Sequence, residues 1–279
     1  MEKQCWADSH THSSFSYDAL DTVKDMYRQA QRLGLSYLTI TDHCECNDFV
    51  LPEAPDWNFE EASYASYQAI RAQPEASGGT RLLCGVELGE PLQGPETTQR
   101  VLSRTYDFVL GSLHNAAGYP DFFGMDYSDK SQDYADELLR VYFRELREMV
   151  LWGRIDSLSH LSYPIRYMRR NRHLCLDLNR YHVEIDAVFE ALVKAQIALE
   201  INTSGLRQEL SETLPDFRLL CRYYELGGRL ITIGSDAHNV KDLGAGLKEG
   251  LQSLYRAGFR EYAVYIQHDP LMIPIKGSE

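Results

Sequence analysis

Residues 5–18 read CWADSHTHSSFSYD, and the interpretation of the whole chain starts from this stretch. The run ending at Asp8 predicts a short strand, after which His10 and His12 project from the same face, because side chains two apart on a strand point the same way. Two adjacent imidazoles can supply part of a binding site for zinc, iron or manganese. Carboxylates or further histidines then provide the remaining ligands. The pair is also consistent with a tag remnant or with two exposed residues at a strand end.

The composition is that of an ordinary globular protein. The chain has 279 residues, of which 44% are hydrophobic and 25% charged, enough for one α/β barrel or for two domains. A formal net charge of −13 argues against a nucleic acid or an anionic membrane as partner, since both require a basic surface. A small anionic substrate remains compatible, because a local basic pocket can override the global charge.

Cysteine usage and the first residues indicate a cytoplasmic protein. The six cysteines include no CxxC pair, so we expect reduced thiols, and the pair at Cys44 and Cys46 is not expected to bind zinc. The start MEKQCWADSH shows no targeting signal, and no apolar run approaches 18 residues. We therefore expect a soluble chain that does not span a membrane.

Strand-like and helix-like patterns alternate along the chain, which predicts an α/β fold with a mostly parallel sheet in one domain, residues 1–279. The expected strands end at or near residues 8, 41, 86, 113, 159, 201 and 233, with a last short strand at 261–266. The expected helices cover residues 22–33, 59–72, 91–104, 133–152, 182–195, 217–226 and 240–257.

Six of the seven strands end in His, Asp or Glu. In barrels of parallel strands the carboxyl ends form the active-site face, so these residues are expected to converge. One histidine at a strand end is more often a hydrogen-bonded structural residue than a ligand. Several such positions are hard to obtain by chance in a chain with nine histidines, and they predict a metal centre. His173, His182 and His268 fall outside this pattern and are expected in loops or on the surface.

An ordered set of motifs resembles the PHP (polymerase and histidinol phosphatase) superfamily, most closely its monofunctional histidinol-phosphate phosphatases. The resemblance covers essentially the whole chain and implies a distorted seven-stranded (β/α) barrel, in agreement with the strand count reached from periodicity. The motifs are DSHTHSSFSYD at 8–18, TDH at 41–43, GVELG at 85–89, GSLH at 111–114, SHLSYPIR at 159–166, EINTSGLR at 200–207 and GSDAH at 234–238.

The resemblance implies three divalent metal ions, zinc, manganese or iron. The implied ligands are His10, His12, Glu87 and Asp236 for the first ion, Glu87, His114 and His160 for the second, and Asp18, His43 and His238 for the third. Many PHP proteins carry a histidine at the position of Asp18, whereas histidinol phosphatases often carry aspartate, which favours the narrower assignment.

The implied activity is hydrolysis of L-histidinol phosphate to L-histidinol and phosphate in histidine biosynthesis, with a metal-activated water as nucleophile. The implied catalytic residues are Glu87, Asp236 and His238, and Asp236 or a nearby histidine protonates the leaving alkoxide. Rival hypotheses are a PHP phosphoesterase for another small phosphomonoester or a nucleotide, and a non-catalytic metal-binding protein. The expected assembly is a monomer or a homodimer.

Two arginines that follow strand-end motifs, Arg166 and Arg207, are expected to bind the phosphate, because a guanidinium offers paired donors to phosphate oxygens. Surface ion pairing is their alternative role, and other arginines crowd the loop after Arg166. Asp8 and Asp42 are expected either to orient an imidazole or to make ordinary strand-end hydrogen bonds. The tyrosine-rich segment 119–134 is expected to pack over an imidazole-bearing substrate or to form an ordinary amphipathic loop.

Overall fold

Parallel strands and helices alternate along most of the described chain, before a final antiparallel hairpin, in the computed structural model, which describes residues 4–50, 54–73 and 79–276. The strands are β1 (Ala7–Asp8), β2 (Tyr37–Ile40), β3 (His43–Glu45), β4 (Arg81–Gly89), β5 (Phe108–Ser112), β6 (Ser157–Leu158), β7 (Ala198–Asn202), β8 (Ile231–Gly234), β9 (Glu261–Ile266) and β10 (Asp269–Pro274). The helices are α1 (Val23–Leu33), α2 (Phe59–Arg71), α3 (Pro95–Val101), α4 (Gln132–Trp152), α5 (Tyr163–Met168), α6 (His182–Ala195), α7 (Phe217–Glu225) and α8 (Leu247–Ala257).

The main sheet is a nearly closed barrel. Its strands pair in parallel in the order β1-β2-β4-β5-β6-β7-β8. Beyond β1 and β8 the ring is joined by the Ser9 amide, which donates to the Ile233 carbonyl at 3.0 Å, and by a parallel bridge between Thr11 and Ala237. The predicted distorted (β/α) barrel of seven strands is therefore confirmed.

Helix ends match local signals in the sequence. At the start of α1 the Thr22 side chain accepts a hydrogen bond from the Asp25 amide, the usual role of a threonine cap. The helix ends at Gly34, which adopts φ of 71°, a conformation that costs glycine less than other residues. Since these signals act over a few residues, they are readable before any tertiary contact is known.

Three elements were not expected. The short strand β3 pairs with β4, so that His43 lies opposite Glu87 in the ladder. Helix α5 occupies a stretch expected to be a loop. The strand expected at 261–266 is present as β9, but it pairs with β10 as an antiparallel hairpin. Strand β4 also continues to Gly89 and does not end at Glu87 as expected.

The hairpin covers one end of the barrel interior. Side chains at the beginnings of β5 and β7, Phe108, Leu110 and Ala198, form a small apolar cluster with Ala263 and Tyr265 of β9. Because these residues lie towards the amino ends of their strands, the interior at the carboxyl ends remains free for polar side chains.

The Asp8 carboxylate fastens the two ends of the barrel together. Its Oδ1 accepts from the Ser235 amide at 2.8 Å, and its Oδ2 accepts from the Ser235 hydroxyl at 2.5 Å and the Gly244 amide at 2.9 Å. Its side chain therefore holds the backbone after β8. Of the two roles expected for Asp8, the structure shows the strand-end hydrogen bonds.

We predict that Asp8→Ala destabilises the fold strongly, because it leaves the buried amide of Ser235 and the half-buried amide of Gly244 without an acceptor. Hydrogen bonds to charged groups contribute about 1.5–3 kcal/mol each, so the free energy of unfolding should fall by about 3 kcal/mol or more. Urea unfolding followed by circular dichroism measures this change. The exposed Asp56→Ala serves as control and should stay within about 0.5 kcal/mol of the parent; equal stability of the two variants would contradict the role of Asp8.

Candidate active site

The carboxyl ends of the barrel strands bring all nine predicted metal ligands into one cluster, in which Asp18 is exposed and the other eight side chains are buried or half-buried. They come from the segments after β1, β5, β6 and β8 and from strands β3 and β4. The cluster comprises His10, His12, Asp18, His43, Glu87, His114, His160, Asp236 and His238. The three other histidines, His173, His182 and His268, are exposed, as expected.

Glu87 lies at the centre, with imidazoles on both carboxylate oxygens. Its Oε2 is 3.3 Å from His10 Nε2, 3.5 Å from His12 Nε2 and 2.9 Å from His43 Nδ1. Its Oε1 is 3.0 Å from His160 Nε2 and 3.3 Å from His114 Nε2. One carboxylate thus separates two groups of imidazoles, the arrangement expected of a residue that bridges two ions.

Asp236 joins the first group. Its Oδ1 lies 3.5 Å from His12 Nε2 and 3.7 Å from His10 Nε2. The residue adopts φ of 56°, an uncommon conformation that aspartate tolerates better than most residues. The Asp236 amide donates to the His10 carbonyl at 2.8 Å, so the seam of the barrel fixes this conformation.

The third group lies at the edge of the cluster. Asp18 places Oδ1 3.7 Å from His43 Nε2 and Oδ2 3.3 Å from His238 Nε2. The ring of His12 stacks on both neighbours, with centroids 4.3 Å from His43 and 4.1 Å from His238. This group is therefore continuous with the first one through His12.

The donor set fits divalent metal ions. Glu87 Oε2 and His43 Nδ1 are buried and make no hydrogen bond to a described residue, although they lie close together. His10 Nε2 and His12 Nε2 also face each other at 3.1 Å. Converging imidazole nitrogens and carboxylate oxygens are ligands that zinc, manganese and iron accept.

Each of three imidazoles is held through its other ring nitrogen, which leaves Nε2 free for the cluster. His10 Nδ1 is 2.7 Å from Glu200 Oε1, and His114 Nδ1 is 3.0 Å from Glu45 Oε1. Such partners fix the tautomer and orientation of metal-binding histidines. Sequence reasoning missed both glutamates. The signal for Glu200 was its place in the EINTSGLR motif, and Glu45 had none, because it lies outside every expected strand, helix and motif.

The third imidazole, that of His12, is held through a serine. His12 Nδ1 lies 3.1 Å from Ser16 Oγ, which donates to Asp42 Oδ1 at 2.8 Å. Asp42 Oδ2 accepts from the hydroxyls of Ser13 at 2.6 Å and Ser66 at 2.5 Å. Asp42 therefore orients an imidazole indirectly, and Ser13 and Ser16 serve as hydrogen-bonding residues of the loop after β1.

The charges of the cluster shift its pKa values strongly. Burial lowers the pKa of His43, but the carboxylates of Glu87 and Asp18 outweigh burial and raise it to about 9. Burial raises the pKa of Glu87, but the surrounding histidines, led by His10 and His43, lower it well below its usual range. The protein chain thus balances its own buried anions with protonated imidazoles, a role that metal cations take over when bound.

The two predicted phosphate-binding arginines reach the same place. Arg166 Nη2 donates to Ser204 Oγ at 2.5 Å and lies 3.8 Å from Asp236 Oδ2, and its buried Nε has no hydrogen-bond partner among the described residues. Arg207 Nη2 donates to the Asp236 carbonyl at 3.4 Å. Both line a cavity of about 320 Å³ together with Asp236 and His238.

Two of the other arginines near Arg166 are engaged elsewhere. Arg169 pairs with Glu212, and the Arg170 guanidinium lies 5.3 Å from the centre of the Tyr167 ring. Of the arginines in this stretch, Arg166 lines both the pocket of the metal cluster and the adjoining cavity, which favours it as the residue that contacts phosphate.

The tyrosine-rich segment 119–134 packs on itself and on the neighbouring helices α4 and α5. The rings of Tyr119 and Tyr134 have centroids 5.9 Å apart, and the Tyr127 hydroxyl donates to the Phe122 carbonyl at 3.3 Å. Of this segment, Asp121 lines the pocket of the metal cluster. No helix in the described part of the chain is both long and apolar enough to cross a membrane.

The fold and the site together define an α/β barrel protein with a cluster of histidine and carboxylate side chains, of the kind that bind metal ions, at the carboxyl ends of the strands. The sequence matches the PHP domain family over residues 8–204, and the chain belongs to this family, as the resemblance implied. It is 31% identical to the Thermotoga maritima protein named "Probable histidinol-phosphatase" over 257 residues, which cover 92% of this chain and 94% of that protein.

Two further comparisons involve Lactococcus lactis subsp. lactis. Its protein named "Histidinol-phosphatase" is 27% identical over 270 residues, covering 92% of this chain and 93% of that protein. The crystal structure of a histidinol phosphate phosphatase from this organism, with zinc, L-histidinol and phosphate, shares the fold with a TM-score of 0.77 at 23% identity, covering 96% of this chain and 100% of that chain. As predicted, the chain is a phosphoric monoester hydrolase.

We predict that Glu200→Gln weakens metal binding about 10- to 100-fold while preserving the fold, because an amide holds His10 less firmly than a carboxylate does. Metal titration with a chromophoric chelator as competitor measures the affinity. Glu190→Gln, at an exposed position of α6, is the matched control. Unchanged affinity in Glu200→Gln would rule out a positioning role for Glu200.

We also predict that metal uptake releases protons. The pKa of His43 is about 9 without metal, so below that pH its ring carries a proton that a metal ion must displace. The apparent affinity should therefore fall as pH is lowered, about tenfold per pH unit for each proton displaced. Zinc titrations at pH 6, 7 and 8, with proton release followed in weakly buffered solution, measure this. A pH-independent affinity without proton release would contradict it; the His173→Gln variant, altered at an exposed position, should behave as the parent.

Proposed function

We propose that this protein hydrolyses L-histidinol phosphate to L-histidinol and inorganic phosphate at a site that holds three divalent metal ions. The observation that carries the proposal is the Glu87 carboxylate, flanked by imidazoles on both oxygens and lying beside a cavity lined by Arg166 and Arg207. The names of the Thermotoga and Lactococcus relatives support the substrate.

Three groups of residues would hold the ions, in the arrangement implied by the sequence. The first has His10, His12, Glu87 and Asp236; the second has Glu87, His114 and His160; the third has Asp18, His43 and His238. When bound, divalent ions of the zinc, manganese or iron type lower the pKa of water towards neutrality and neutralise phosphoryl oxygens.

The arginines bind and orient the ester. The Arg166 Nε has no partner in the described chain, so it can donate to a phosphate oxygen without breaking an existing hydrogen bond. Arg207 lines the same cavity, and its Nε lies 3.7 Å from Asp242. Two guanidinium groups on one phosphate hold it in a fixed orientation and offset its negative charge.

Asp236 and His238 are the proton-transfer groups in this proposal. Both line the pocket of the metal cluster and the arginine cavity. Burial raises the pKa of Asp236, but His10 and the other neighbouring cations lower it well below its usual range, so the ionised carboxylate can accept a proton and has none to donate. The His238 ring can donate a proton to the leaving alkoxide, and this proton transfer removes the charge that builds there. The His238 ring is held by a 3.0 Å contact of Nδ1 with the Asp236 carbonyl, which leaves Nε2 towards Asp18.

The same proposal places the enzyme in the cytoplasm, at the dephosphorylation step of histidine biosynthesis, as a monomer or homodimer. The support for a reducing compartment is chemical, since all six cysteines, Cys5, Cys44, Cys46, Cys84, Cys175 and Cys221, are free thiols.

We predict that protein reloaded with zinc or manganese releases phosphate from L-histidinol phosphate with kcat/KM far above that for other phosphomonoesters, a nucleotide and a phosphodiester. Colorimetric phosphate release measures this. The Asp236→Asn variant should lose turnover and keep its fold, because it removes a proposed ligand and proton-transfer group.

Weak, even activity across the panel would exclude histidinol phosphate as the specific substrate and favour another phosphomonoester. Absence of activity with metal bound would favour a non-catalytic metal-binding protein. Near-parental activity of Asp236→Asn would remove this residue from the mechanism, and Asp56→Asn is the control for a substitution outside the site.

A further inference from the structure

One carboxylate in the pocket of the metal cluster forms no ion pair within 4 Å with a described residue. The acidic residues that line this pocket are Asp18, Glu87, Asp121 and Asp236. Three of them lie within 4 Å of an imidazole nitrogen, as described above. Asp121 makes no ion pair within 4 Å among the described residues; its Oδ1 accepts from the Phe123 amide at 2.7 Å, the Gly124 amide also donates to this carboxylate, and His114 acts on it only as a more distant charge. No cationic side chain of the described residues therefore contacts this carboxylate directly.

The loop that carries Asp121 is fixed to the site. The next residue, Phe122, is fully buried, and its amide donates to the carbonyl of His114 at 2.9 Å. Its ring packs against Tyr142 and Tyr163, with centroid distances of 5.4 Å and 6.2 Å. Asp121 therefore has a defined position relative to a proposed metal ligand, which a recognition residue requires.

The lining of the pocket includes both positive and negative side chains. Arg166 supplies positive charge and continues into the cavity with Arg207, where the phosphate is expected. Asp121 supplies negative charge, and the rings of Tyr17, Tyr163 and Tyr167 line the same pocket. Burial raises the pKa of the Asp121 carboxyl, which reflects the cost of holding this charge away from water. A bound organic cation would offset that cost.

We propose that Asp121 is a specificity-determining residue that pairs with the ammonium group of an amino-alcohol phosphate, an inference that rests on the proposed phosphomonoesterase function. The substrate class is then a phosphate ester whose alcohol carries a primary amine, with the phosphate towards the arginines and the amine towards Asp121. A primary ammonium is preferred over a neutral ring because it carries a full charge at neutral pH.

The test compares L-histidinol phosphate with its deamino analogue, 3-(imidazol-4-yl)propyl phosphate, which differs only by the ammonium group. Both are assayed with metal-loaded parent, Asp121→Asn and Asp126→Asn. Asparagine can retain the turn hydrogen bond while removing the charge. Asp126 is the matched control, because its carboxylate accepts from the Ser128 amide at 2.8 Å in the same kind of turn but is exposed.

We expect Asp121→Asn to lower kcat/KM for L-histidinol phosphate by about 30-fold or more, as for loss of one partner of a buried ion pair. For the deamino analogue the same variant should stay within about twofold of the parent, and Asp126→Asn should match the parent on both esters. Equal losses on both esters, or no loss on either, would overturn the proposal, since neither result depends on the ammonium group.

A binding measurement separates this inference from the proposed function. If the parent hydrolyses neither ester, the proposed function has failed, and calorimetry with L-histidinol then decides the role of Asp121. At least about 30-fold weaker binding to Asp121→Asn than to Asp126→Asn would support the ion pair. Equal binding, or no binding to the parent, would overturn it. Thermal melting of both variants verifies that each is folded.

Discussion

The site depends on one buried carboxylate. Glu87 is 1% exposed, and an ionised carboxylate held so far from water costs several kcal/mol unless opposite charge surrounds it. The structure supplies that charge as imidazoles on both oxygens, and metal cations provide it more fully when bound. The pairing of β3 with β4 sets His43 opposite Glu87. The three-residue strand β3 therefore contributes directly to the balance of charge around the Glu87 carboxylate.

The seam of the barrel and the site are built from the same contacts. The Asp236 amide bonds to the His10 carbonyl, and Asp8 bonds to Ser235, so closure of the ring also positions two proposed ligands. Gly234 is required at this seam, because a Cβ there would lie 2.3 Å from His10 Cβ and 2.6 Å from Glu200 Oε1. Stability and metal binding are therefore coupled in this region.

Most of the fold and most of the site were readable from local pattern. Helix α1 ends at Gly34 as predicted, and α6 has the predicted bounds, because caps and 3.6-residue periodicity act over neighbouring residues. The strand ends pointed to several histidines and carboxylates of the cluster, and the resemblance to the PHP superfamily implied all nine of its residues. Strand β3 and helix α5 were missed because each is too short for a periodic signal, and with them Glu45 was missed as a partner of His114.

The sequence by itself determined the alternation of strands and helices, the kinds of side chain at the strand ends and, through its motifs, the family. Only the tertiary structure decided which of those side chains meet. Glu200 and His10 are 190 residues apart and touch because the barrel closes. In the sequence Asp121 is one acidic residue of a tyrosine-rich loop, and the tertiary structure places it in the lining of the metal-cluster pocket without an ion pair to a described residue. Periodicity is a local property, whereas register, closure and charge pairing depend on contacts between distant segments.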